Sequence, residues 1–147
     1  MARIVSQSAQ EHFESRAGPA YSTFLRLKSR ENAVAAAVAF WEMRDHLRGG
    51  KVKDEFDQET FKRCPEFKMI RDVAEDSKHA ELNRSDVIVA GISGTGSLGG
   101  EATIISPLGS LPTVPPCTLQ IDLRDGSSRM MEDVLATVAR FLRAEVS

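Results

Sequence analysis

Residues 87–100 read VIVAGISGTGSLGG, and the order of elements around them decides the fold class. The stretch opens with β-branched and apolar residues that suit a strand. Gly94 to Gly99 then follow the G-x-G-x-x-G spacing of a dinucleotide-binding turn. That turn works only when a helix opens directly after the glycines, because the helix N–H groups and dipole hold the pyrophosphate. Here the glycines lead into EATIISPLGSLP, residues 101–112, which is strand-like and punctuated by proline. An acidic residue about 20 positions on would be needed for a ribose. Asp122 is the first suitable one, too far along and on a later strand. No lysine follows the glycines, so the phosphate-loop pattern fails as well. The stretch reads as a connection between extended segments, and no cofactor is expected.

Upstream of it the pattern is helical. Residues 6–17 are polar, with Phe13 as the main apolar anchor, and Gly18-Pro19 predicts a break. Tyr21, Phe24, Leu25 and Leu27 mark a second helical stretch. Ser29 is a candidate N-cap for a long helix over about 30–48, whose face is Ala33, Ala37, Phe40 and Leu47, widened by Val34, Val38 and Trp41. Gly49-Gly50 ends it. Residues 51–56 read as a charged loop, 57–63 as a short helical piece with Phe61 inward, and Pro65 as the start of a helix running to about residue 83. Asp72, Glu75, Asp76, Lys78 and His79 are assigned to its polar side.

Downstream the period changes to two. Strands are expected over 86–92, 101–106 and 117–123, the last with Leu119, Ile121 and Leu123 alternating against Thr118, Gln120 and Asp122. Asp125-Gly126 is a turn, and Ser127 or Ser128 is expected to cap a final helix with the stripe Met130, Val134, Leu135, Val138, Phe141 and Leu142. The predicted fold is α+β: N-terminal antiparallel helices, a small antiparallel β meander of about three strands, then a C-terminal amphipathic helix. One domain over residues 1–147 is expected, helical over about 6–83, with the meander and last helix over about 86–146.

The totals agree with a folded soluble domain. The chain has 147 residues, 41% hydrophobic and 27% charged, with a formal net charge of −2, so neither wholesale disorder nor a strongly basic nucleic-acid binder is indicated. Cys64 and Cys117 form no C-x-x-C pair and are expected as free thiols in a reducing cytoplasm. No apolar leader and no run long enough for a membrane span is visible, so a cytoplasmic protein with no membrane partner is expected.

Three histidines, His12, His46 and His79, fall on three predicted helices. Glu42 and His46 stand at i, i+4, and Asp76 and His79 one turn apart, so convergent helices would offer His46, Asp76 and His79 as metal ligands. The bland alternative is solvated helix faces with ordinary ion-pair support. A second constellation lies in MIRDVAEDSKHAEL, residues 69–82, where Arg71, Glu75 and His79 recur every four residues. An arginine is a fixed cationic fork for phosphate, and a histidine moves protons near neutral pH. Together they suit metal-independent RNA cleavage, with His79 as the proton-transfer group and Arg71 stabilising developing charge.

This stretch resembles the signature of HEPN-type helical domains, with Arg71, Asp72 and His79 at the matching positions. The resemblance implies an antiparallel helical bundle, homodimers whose active-site copies meet across the interface, and RNA as a substrate for the active members. The leading reading is a non-catalytic helical interaction module that self-associates, since the helix over 30–48 and the last helix carry broad apolar faces. The alternatives are a HEPN-like ribonuclease using Arg71 and His79, and a metal-binding bundle.

Overall fold

A computed structural model describes residues 4–49, 51–78, 87–95 and 118–147. In chain order they form α1 (Ile4–His12), a π-helical turn (Phe13–Ala17), α2 (Gly18–Arg26), α3 (Arg30–Leu47), α4 (Lys53–Arg63), α5 (Glu66–Lys78), β1 (Val89–Ser93), β2 (Gln120–Leu123), β3 (Ser128–Met130) and α6 (Met131–Val146). Helices, then a three-stranded antiparallel sheet, then a C-terminal helix make this an α+β fold.

Gly18-Pro19 does not break the chain, and the helical path runs through it. Pro19 has no N–H to give the carbonyl one turn back. The backbone widens by one residue there, and Gly18 N bonds Phe13 O across the π turn. A Cβ at Gly18 would stand 3.0 Å from that same oxygen, a contact tight enough that the turn would have to give by a few tenths of an ångström. The start of α3 follows its sequence. Ser29 is extended (φ −85°, ψ 161°), and its Oγ accepts from Asn32 N at 3.1 Å. Gly49, at φ +61°, provides the left-handed residue just past the helix end.

α3 is the central element, packed by α1, α2, α5 and α6. Ala33, Ala36, Ala37, Phe40 and Met43 are fully buried along it, and the small alanines let its neighbours approach closely. The breadth of this apolar face is therefore taken up within the chain. The same core includes Phe24 of α2, Phe67 and Ile70 of α5, Leu119 just before β2 and Ile121 within it, and Leu135 and Leu142 of α6.

The sheet order is β1-β2-β3, with Ile92 opposite Ile121 and Gln120 opposite Met130, and an irregularity between Val89 and Gly91. Three expectations need correcting. α4 begins at Lys53, four residues before the predicted start, because residues 53–56, assigned to a charged loop, take helical backbone. Neither Ser127 nor Ser128 caps α6. Ser128–Met130 is a strand, and Met131 N at the helix start already donates to Leu119 O at 2.9 Å. Asp72, assigned to a polar face, is 1% exposed. The expected strand over 101–106, the end of α5 beyond residue 78, and Cys117 lie outside the described residues. No helix among the described residues is long and apolar enough to cross a membrane.

Candidate functional site

Asp72 joins the helical layer to the sheet. Its Oδ2 accepts from Ile88 N at 2.7 Å and Val89 N at 3.1 Å, so two consecutive backbone donors at the entry to β1 end on one carboxylate oxygen. Its Oδ1 accepts from Arg71 Nε at 2.8 Å and lies 2.7 Å from the Arg71 terminal nitrogen. These four contacts match the acceptor capacity of a carboxylate. Arg71 is 2% exposed, and its guanidinium also lies 5.4 Å above the Phe61 ring. The arginine that sequence marks for phosphate is thus inside the molecule, paired with the residue beside it. His79, its partner in that reading, lies outside the described residues, and of Asp76 only the backbone is described.

The other two histidines converge. His12 of α1 and His46 of α3 stack with ring centroids 4.3 Å apart and planes 21° from parallel. Ser8 Oγ, one turn before His12, lies 2.8 Å from His46 Nδ1. His12 Nε2 is buried with no hydrogen-bond partner among the described residues. Burial, and then the neighbouring His46, holds the His12 imidazole below its ordinary value. Glu42, the i−4 neighbour of His46, turns to Arg16 at 3.7 Å. An imidazole's lone pair lies in its ring plane, so two nearly parallel rings aim their nitrogens side by side rather than at one ion. Among the described residues no group of three or more His, Cys, Asp or Glu is arranged to hold a metal.

The glycine stretch is described only at its start. Gly94 has φ +87°, and a Cβ there would stand 2.1 Å from Thr118 O. The next residue pairs with the same threonine: Thr118 N donates to Thr95 O at 2.8 Å, and Thr95 N to Thr118 Oγ1 at 2.9 Å. The first glycine therefore carries the chain from β1 along the end of β2. Gly96 and Gly99 lie outside the described residues.

Sequence reasoning missed an ion pair between α3 and α4, buried at its arginine and half-buried at its carboxylate. Arg44, 8% exposed, reaches Asp57 of α4 at 3.1 Å and lies 4.0 Å over the Trp41 ring. Burial pushes the Asp57 carboxyl above its usual range, against the pull of Arg44. The available signal is the i, i+3 spacing of Trp41 and Arg44, which puts both on one side of a helix already rich in apolar residues.

In comparisons with known proteins, the chain matches no family model, no curated protein and no solved structure.

Proposed function

We propose that this chain is a non-catalytic helical module that acts by binding and associates with itself. The commitment of Arg71 to Asp72 carries the reading. A guanidinium that stabilises a developing phosphate charge has to face its substrate. This one faces a carboxylate whose remaining capacity holds the entry to β1, and both groups are almost wholly buried. Leu25 and Leu27, 47% and 40% exposed at the end of α2, supply apolar surface for self-association.

The test sets binding against chemistry. Whole protein is incubated with RNA in EDTA, beside His79→Ala and Arg71→Lys. The expected result is no cleavage above background in any sample. Cleavage by the wild type that disappears in His79→Ala overturns the reading in favour of the metal-independent ribonuclease. Sedimentation of the wild type at micromolar concentration is expected to show a dimer that Leu25→Glu weakens, and a strictly monomeric wild type removes the self-association part.

A further inference from the structure

α4 is a loosely matched cover over a well-made surface. Of its residues only Thr60 is buried, and its N-cap, Val52, makes no side-chain bond. Its main ties to the body come from two side chains one turn apart. Asp57 reaches Arg44. Phe61 lies parallel to Trp41, with centroids 6.4 Å apart and planes at 11°, stands the same distance from Phe67, and has the Arg71 guanidinium 5.4 Å over its ring. An outer pair, Arg63–Glu145, adds an exposed contact to α6, and exposed pairs hold little.

The polar part of this seam is only half satisfied. Arg44 Nε and Asp57 Oδ1 are both buried without a hydrogen-bond partner among the described residues. A buried polar atom left without a partner carries its full desolvation penalty. The upward shift of Asp57 points the same way, to a carboxylate whose burial outweighs its compensation. The surface beneath keeps contacts of its own. Arg44 lies against Trp41, and Trp41 packs on Phe67 of α5 at 5.3 Å, neither contact passing through α4.

We propose that α4 opens as a unit, and that the seat beneath it, formed by Trp41, Arg44 and Phe67, docks a short amphipathic helix of a partner protein. That helix carries a carboxylate one turn before an aromatic side chain. The inference rests on the binding-module reading and adds the partner's chemistry. The occupant is specified by α4, which fills the seat with Asp57 and Phe61 at i, i+4, and by the charge of Arg44. A partner carboxylate gripping Arg44 with both oxygens engages the Nε that Asp57 does not reach and that exposed Asp45 approaches only to 3.9 Å, which gives it an advantage over the tethered helix. Seating an amphipathic helix in an aromatic groove is a recurrent recognition mode.

Native-state hydrogen exchange on the whole chain reads the opening directly. The amides of α4 are expected to exchange at least about tenfold faster than the slowest amides of α3 and α5, as a sub-global unit does. Exchange of α4 only at the rate of those helices overturns the proposal. The seat is tested with the full chain carrying Asp57→Lys, which repels α4 from Arg44, and a synthetic peptide of residues 52–64 added in trans. Trp41 is the only tryptophan in the chain, so its emission reports the seat. The wild-type peptide is expected to restore wild-type emission saturably, and the same peptide with Asp57→Lys is expected to fail. If neither peptide acts, or both do, the seat does not read a carboxylate and the proposal falls. If circular dichroism shows that Asp57→Lys does not fold, Asp57→Asn takes its place. RNA cleavage or a monomeric wild type would overturn the preceding reading without changing either result, so the two fail separately.

Discussion

At the scale of single residues, the Asp72 carboxylate fixes where the sheet begins. One oxygen faces two backbone donors and the other faces a guanidinium. Asparagine in its place turns one of those acceptors into a donor, so an N–H meets an N–H inside the protein whichever way the amide is turned. Asp72→Asn is expected to lose about 3–5 kcal/mol, the range for breaking a buried pair. The check is a lower urea midpoint at unchanged slope, and a loss below about 1 kcal/mol would show that the carboxylate is dispensable. The burial of Asp72 was not legible in the sequence. Arg71, Asp72 and Glu75 look like a solvated row because helical spacing is local, whereas the N–H groups that Asp72 holds arrive 16 and 17 residues later. The Ser29 cap was legible for the opposite reason, since its donor is three residues away.

At the scale of elements, α3, α6 and β2 were readable because long apolar stripes or clean alternation specify them. The π turn was not, since Gly-Pro reads as a stop when judged without the helix on either side. β3 was not, since three residues are too few to show a period and two of them are polar-looking. The two glycines at strand ends separate conformation from space. Gly94 and Gly126 both have positive φ, +87° and +92°. A Cβ at Gly94 collides with Thr118 O, whereas one at Gly126 meets nothing within 4 Å. Gly94→Ala is expected to cost about 3 kcal/mol or more, combining backbone strain with displacement of the β1–β2 junction. Gly126→Asn is expected to cost only about 1 kcal/mol, since asparagine tolerates left-handed backbone. Thermal melts of the two variants check the order, and equal losses would mean that the Thr118 contact yields freely.

At the scale of the whole molecule, stability should follow pH through groups of opposite sign. His12 prefers to be neutral in the folded chain, its value lying below the ordinary 6.5. Its stacking on His46 is therefore at full strength above pH 6.5. As pH falls past that point, the unfolded chain takes up a proton that the folded chain resists, and stability declines until the lowered folded value is passed. Asp57 is raised above 3.8, so its contribution is fully present below that value and is lost as pH rises through the folded one. The two contributions have opposite sign, so a loss of stability on acidification reads His12 rather than Asp57. The urea midpoint is expected to fall between neutral pH and about pH 5, where histidine titrates. His12→Phe keeps a ring in the stack and is expected to flatten most of that fall. An undiminished fall in His12→Phe would assign the dependence to another group.

The junction of β3 and α6 has a mechanical consequence. Met130 pairs with Gln120 in the sheet, and Met131, the next residue, begins the helix with its N–H fixed to Leu119 O. No slack separates strand from helix. Any roll of α6 about its axis must be transmitted as torsion to β2 and, through it, to β1, so the last third of the described chain behaves as a stiff lever.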